Sequence, residues 1–426
     1  MTQKPVPALV AAINDRFFYG WAMLAAAFVG MFASGAGQSF TISVFLNPLI
    51  DTLDISRTSI SSAYTLGTLT AALGLSFVGR LIDRFGARTM LAGVALLLGA
   101  SAVAFSTVGN LVALYAAFTA VRIFGQGSLM LTSTNLASQW FVRRRGFALS
   151  IVNLGFAAGW ATYPPVIQLL IRQTDWRMAW VWVGLFTWVL VIPVALVFVR
   201  SRPEAVGLHP DGEAPENGDA APAKADQGAG EQASWTVCEA LRTPQFWIMA
   251  LANSVPSMLI TGMVVHQISY FGEQGLDAQV AANLFPVTAA SMVAAGLIFG
   301  WMLDRVPTRR MMAVSLLCMA IAMYTMLIAT TPLLAALYGV VLGISSGSMM
   351  MMTSYVWPQY FGRKYLGGVQ GVALTISIIG ASLGPLPFGL AFDLLGGYGE
   401  ALTILSVLPI LSAAVVFFTR PPARRA

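Results

Sequence analysis

The sequence predicts an all-α membrane protein whose twelve transmembrane helices form two six-helix bundles. Three observations predict it. First, 57% of the 426 residues are hydrophobic and only 10% are charged, against about 25% charged in soluble domains, so the membrane character belongs to the whole chain. Second, apolar runs of about 20 residues, enough to cross the bilayer as helices, recur from end to end. Third, the charged stretch Gly79-Arg80-Leu81-Ile82-Asp83-Arg84-Phe85-Gly86-Ala87-Arg88 returns 221 residues later as Gly300-Trp301-Met302-Leu303-Asp304-Arg305-Val306-Pro307-Thr308-Arg309. A charged loop repeated at half the chain length marks a duplicated bundle.

In order, the apolar segments run Tyr19 to Leu46, Ala63 to Val78, Met90 to Phe105, Leu111 to Ala137, Phe147 to Leu170 and Ala179 to Val199. A polar stretch, Arg200 to Glu231, rich in Pro, Gly, Ala, Asp and Glu, reads as a flexible linker. Ser234 to Arg242 reads as a short amphipathic helix. The second set runs Phe246 to Phe271, Ala281 to Met302, Met311 to Ala329, Leu334 to Val356, Leu366 to Phe392 and Ala401 to Phe418. The expected units are an N-terminal bundle over 1–199, a cytoplasmic linker over 200–243 and a C-terminal bundle over 244–426. Met1 to Asp15 is short and polar, and the first apolar run is longer than a signal core, so no cleavable signal is expected.

Charge sets the orientation. One side carries Arg80, Arg84, Arg88, Arg143, Arg144, Arg145, Arg305, Arg309, Arg310, Arg363 and Lys364; the other has only Arg57, Arg172 and Arg177 in short loops. The first side is therefore expected to be cytoplasmic, with both termini and the linker. The net charge of +6 is explained by this loop bias and does not point to nucleic acid. Two cysteines and two histidines predict neither a disulfide nor a metal site. No phosphate-binding G-x-x-x-x-G-K-[ST] loop is present. No nucleophile-base-acid set is visible, so no catalytic residues, cofactor or enzyme activity are expected.

Shorter repeats support the duplication. Gly125-Gln126-Gly127-Ser128 answers Ser345-Ser346-Gly347-Ser348, and Trp140-Phe141-Val142-Arg143 answers Tyr360-Phe361-Gly362-Arg363. Gly155, Gly159 and Pro164 answer Gly380, Gly384 and Pro385. Small residues four apart let helices pack backbone to backbone in lipid, so these glycines are expected to be scaffold.

The repeated loop resembles the G-x-L-x-D-R-x-G-x-R signature of major facilitator superfamily transporters, which lies between the second and third helices of each half. The resemblance implies that fold and a gating role for Gly79, Asp83, Arg84, Arg88, Gly300, Asp304, Arg305 and Arg309. Further stretches resemble the monocarboxylate and oxalate/formate branch: Phe18-Tyr19-Gly20-Trp21, Asn47-Pro48-Leu49, Arg57 with Ile60-Ser61, Arg122-Ile123-Phe124-Gly125-Gln126-Gly127 and Arg242-Thr243-Pro244-Gln245-Phe246-Trp247. Two departures matter. Gly296 stands where the branch usually has a carboxylate-binding Arg in the eighth helix. Phe40 stands where it has a first-helix Lys.

An ionisable residue inside a membrane helix is a site hypothesis by default. Arg122 lies about 16 Å into the fourth segment, and its counterpart in the other half is Leu342, so the duplicated scaffold does not demand it. His266 is the second such residue, a candidate proton carrier between about pH 5 and 8. Polar and aromatic lining candidates are Gln38, Tyr64, Gln126, Asn153, Trp160, Tyr270, Tyr355 and Trp357. No Asp or Glu sits mid-helix, which argues against a drug-proton antiporter with a buried carboxylate. The reading is a monomeric secondary transporter of a small organic anion across the cytoplasmic membrane, with protons as a candidate coupling ion. The alternatives are a neutral or zwitterionic substrate, an exporter, or a transporter-like sensor.

Overall fold

The computed structural model describes residues 8–212, 235–303, 305–362, 365–420 and 422. Asp304, Arg363, Lys364 and most of the expected linker lie outside the described residues. Among the described residues the chain is helical, and eleven helices are long and apolar enough to cross a membrane. They are α1 (Gly20–Leu53), α3 (Phe77–Phe105), α4 (Leu111–Trp140), α5 (Arg145–Gln173), α6 (Trp176–Val197), α7 (Pro244–Glu273), α8 (Ala278–Leu303), α9 (Thr308–Ile328), α10 (Pro332–Phe361), α11 (Leu366–Leu395) and α12 (Gly399–Phe418). The twelfth, α2, is the first arm of the helical run Arg57–Phe105, which breaks at Gly86 with φ 78° and ψ 159°. Only glycine takes that conformation without strain, so α2 covers 57–85 and α3 proper begins beyond it. The equivalent break between α8 and α9 falls at Pro307, φ −53° and ψ 130°. The two signature loops thus stop a helix by different means, a left-handed glycine in one and a proline in the other.

Helix starts are written locally. Asn110 accepts from the Ala113 N–H at 2.8 Å and Asp175 from the Met178 N–H at 2.8 Å, opening α4 and α6. Thr243 and Thr331 do the same for α7 and α10, each followed by proline at the first helical position. The expected amphipathic helix is a single turn, Val237–Leu241, closed by a capping box between Thr236 and Glu239.

The glycine repeats pack as expected. A side chain at Gly155 or Gly159 would meet the Phe28 or Phe32 carbonyl of α1; one at Gly380 or Gly384 would meet the Ser254 or Met258 carbonyl of α7. The α1–α5 and α7–α11 contacts are therefore the same contact used twice. The start of the linker is more ordered than its composition suggests. Asp211 accepts from the backbone N–H groups of Val142, Arg143 and Arg144 at 3.0, 2.7 and 3.2 Å, and Trp140 donates to the Arg200 carbonyl at 2.9 Å. These bonds strap residues 200–212 to the end of the first bundle.

The packing makes a prediction. Gly384→Ala forces a methyl against backbone that cannot yield, and should lower unfolding stability by about 1–3 kcal/mol, the usual range for overpacking. Gly93→Ala, where nothing lies within 4 Å, should be neutral. Thermal unfolding in detergent checks the pair.

Candidate functional site

α1 is not continuous. It narrows to a 3-10 turn over Ser34–Gly37, and Gln38 is extended at φ −90° and ψ 161° before the helix resumes at Ser39. Opposite this break, α4 widens into a π-helix over Arg122–Leu129. The two irregular turns touch glycine to glycine: a side chain on Gly37 would meet the Val121 carbonyl and Gly125, and one on Gly125 would meet Gly37. π-turns inside long helices are a recurrent feature of functional sites.

Arg122 sits at this junction, 2% exposed. Its Nε donates to Thr68 Oγ1 of α2 at 3.1 Å and its Nη1 to the Gly37 carbonyl at 3.2 Å. The guanidinium carbon lies 4.9 Å from the centre of the Tyr64 ring. No ion pair to Arg122 is found among the described residues. The side chain lines a cavity of about 490 Å³ with Thr68, Gln126, Met130 and Thr134, and with Leu374 and Ile378 of α11 from the other bundle. Around the break, Gln38 Nε2, the Tyr64 hydroxyl and Trp160 Nε1 are buried without a hydrogen-bond partner. Trp160 packs on Phe40, just past Gln38, with ring centres 5.0 Å apart. The side chain N–H groups here can only donate, which suits an acceptor-rich, anionic ligand.

Other expected residues fall elsewhere. Asn153 is half-buried on α5 and is not among the residues lining the Arg122 cavity. Tyr355 is 38% exposed near the signature-loop end of α10. Trp357 stacks into the α7–α10 core against Phe246 and Phe361. Tyr270 is buried and donates to the Met326 carbonyl at 3.0 Å, tying α7 to the end of α9. His266 lies in the half of α7 away from the signature loops. Its Nδ1 is 3.1 Å from the Tyr398 hydroxyl, and its Nε2 is 3.1 Å from the Pro385 carbonyl and 3.3 Å from Ser61 Oγ.

That region is a polar seam between the bundles. Arg57 Nε donates to Tyr398 at 2.9 Å, and its Nη2 donates to Ser269 Oγ at 3.1 Å and approaches Glu273 at 3.4 Å; the guanidinium lies 3.6 Å over the Phe392 ring. Asp393 accepts from the Thr58 N–H at 2.7 Å, so a carboxylate of the second bundle caps the first turn of α2 in the first. Arg172 pairs with Asp277 at 2.5 Å, and Gln279 donates to the Pro165 carbonyl. Every partner named here joins one bundle to the other, and all lie on the face opposite the signature loops. On the loop face, Arg88 bonds to Ser201 and to the Leu196 carbonyl within its own bundle, and Arg305 stacks on Trp301 within its own. Asp83 and Arg84 are exposed, and Gly79, Gly300 and Arg309 are half-buried. The sequence used Arg57 only for orientation and resemblance. The seam roles of Tyr398, Glu273 and Asp393 escaped it because their partners in the first bundle, Arg57 and Thr58, are more than 200 residues away.

Two repeated bundles, a helix broken at mid-depth beside a buried arginine, and a polar seam on one face define a polytopic membrane protein of the duplicated-bundle transporter class. The major facilitator superfamily model matches residues 27–298 and 257–426, and the chain belongs to that family of transporters. It is 24% identical to the oxalate:formate antiporter of Oxalobacter formigenes over 96% of this chain and 92% of that protein. It is 27% identical to human monocarboxylate transporter 11, over 95% and 83%. Among solved structures, a bacterial homolog of the human lysosomal transporter Spinster aligns with a TM-score of 0.70 at 16% identity, over 93% of this chain and 95% of that one. The nucleoside transporter NupG aligns at 0.71 and 13%, over 94% and 100%.

The signature-loop face carries a prediction. Asp83→Asn should slow transport while leaving equilibrium substrate binding in detergent unchanged, since the residue lies away from the Arg122 junction. A comparable loss of binding in a folded variant would move the loop into the site.

Proposed function

We propose that the chain is a secondary transporter of a small organic anion, a monocarboxylate or related carboxylate, working by alternating access across the cytoplasmic membrane. The observation that carries this reading is Arg122: a buried guanidinium with no carboxylate on it among the described residues, beside buried donors that lack partners. A carboxylate has lone pairs enough to serve several of them at once, and the planar guanidinium fork matches it in two-point geometry. The names of the relatives in oxalate, formate and monocarboxylate transport agree with that chemistry. The arginine bias of the signature-loop face supports its being cytoplasmic. The substrate then enters the Arg122 cavity from the cytoplasm in this conformation, and from outside once the seam opens.

A neutral or zwitterionic substrate is the second reading. Gly296 favours it, since α8 carries no charged residue between Ala278 and Leu303. An anion then has, among the described residues, one buried arginine or lysine to bind, and it comes from the first bundle.

Arg122→Leu installs the residue of the matching position, Leu342, which is fully buried in the second bundle. The variant should fold and lose anion uptake into proteoliposomes; truncating one side of a buried charge contact typically weakens binding by about 2–5 kcal/mol, roughly 30-fold or more. Arg122→Lys should restore part of it, because an ammonium lacks the fork. Uptake by Arg122→Leu at the parent rate would contradict the anion reading.

A further inference from the structure

The Arg122 cavity has a polar end and an apolar body, and carboxylate recognition uses only the polar end. We propose that the substrate is a monoanion with an apolar tail, an aliphatic or aromatic monocarboxylic acid, and that Leu374 and Ile378 of the second bundle select for the tail and against a second charge. The inference rests on the anion reading and narrows it.

The polar end is small. Arg122 gives Nε to Thr68 and Nη1 to the Gly37 carbonyl. A guanidinium has more donors than these two bonds consume, so it keeps N–H groups for a ligand. Thr68 Oγ1 accepts from Arg122 and retains its own proton. Gln126 stands one turn further along α4, half-buried on the same cavity. These donors suffice for one carboxylate.

Toward the signature loops the walls change. α2 contributes Ala71 and Leu75, α4 contributes Met130, and α11 contributes Leu374 and Ile378. From Thr68 to Leu75 the α2 wall runs for about 10 Å, longer than a carboxylate needs. No charged residue lies on α2 between Thr58 and Gly79 or on α11 between Leu366 and Phe392, and α4 has only Arg122 between Leu111 and Trp140.

Two consequences follow from that lining. An apolar tail that leaves water for these walls gains affinity with the area it buries, up to about fourfold per methylene. A second carboxylate would lie against the same side chains with no cation to meet it, and an unpaired charge in apolar surroundings is strongly disfavoured. One wall therefore rewards the tail and rejects the diacid. The head of such a ligand is held by the first bundle, and its tail touches both.

The test is saturable binding to the purified protein in detergent at about pH 7.5, where the acids are ionised. The monoacids are acetate, butyrate and hexanoate; succinate and adipate are diacids of the same lengths as the last two. Affinity should rise by about two- to fourfold per methylene from acetate to hexanoate. Each diacid should bind at least about tenfold more weakly than its monoacid. Leu374→Asn puts an amide into the wall and should lower the hexanoate-to-acetate affinity ratio several-fold. Leu394→Asn, 77% exposed at the far end of α11 and not on the cavity, should keep the parent's ratio. Partitioning into detergent also grows with the tail, but it does not depend on Arg122, whereas Arg122→Leu should abolish the saturable signal for the whole series. If no acid binds the parent, the anion reading fails and this inference falls with it. If acids bind through Arg122 but affinity is flat along the series, diacids match monoacids, or the ratio is unmoved in Leu374→Asn or lost in Leu394→Asn, this inference is overturned and the anion reading stands.

Discussion

The structure turns on one buried charge that has no counter-charge among the described residues. A lone arginine at mid-depth in a membrane helix costs about 2.5–3.5 kcal/mol by insertion scales. The fold offsets this with a hydrogen bond to Thr68, a hydrogen bond to the Gly37 carbonyl and the face of Tyr64. Hydrogen bonds to charged groups contribute roughly 1.5–3 kcal/mol each, so Arg122 is tolerated but not neutralised. The Gly37 carbonyl is available because α1 leaves its helical path at Gln38. That break in turn requires glycines at 37 and 125, where no side chain fits. Sequence, backbone irregularity and electrostatics are one constraint here, and an anionic ligand is the component that the proposed function adds to it.

On the transport reading proposed above, the asymmetry of the two faces gives that site its access. Glycine-on-carbonyl contacts hold α1 to α5 and α7 to α11 as rigid pairs. The polar contacts between bundles among the described residues are gathered on the face away from the signature loops, beside apolar packing such as Trp160 on Phe285. Polar contacts of this kind exchange for water with little net change in free energy, so a seam built from them can open and close, whereas the close-packed interiors of the bundles cannot. On the transport reading proposed above the bundle is the rocking unit, and the Arg122 junction lies within the first bundle, between α1 and α4.

Much of the architecture was legible because its causes are local or periodic. Apolar runs gave the spans, the 221-residue offset gave the duplication, and small residues four apart gave the tight helix pairs. Arg122 was visible as a charge where lipid forbids one. The break in α1 was less so: Ser34-Gly35-Ala36-Gly37 reads as ordinary small-residue packing, and its unwinding follows from the π-turn it meets in α4. The seam was not legible at all. Arg57 and Tyr398 are 341 residues apart, and neither has a local pattern that announces the other. The same holds for the strap at Asp211, whose three backbone donors belong to a turn near residue 143, inside a stretch that composition reads as flexible.

The central proposal is that the junction around Arg122, with its charge and its unpaired donors, recognises a carboxylate through the carboxylate's charge and lone pairs. The most direct measurement is binding to the purified protein of matched pairs, each a small carboxylate and its carboxamide of the same shape. Carboxylates that raise the unfolding temperature in a saturable manner, with amides that do not, are the predicted result. Equal protection by acid and amide, or protection by neutral compounds alone, would contradict it.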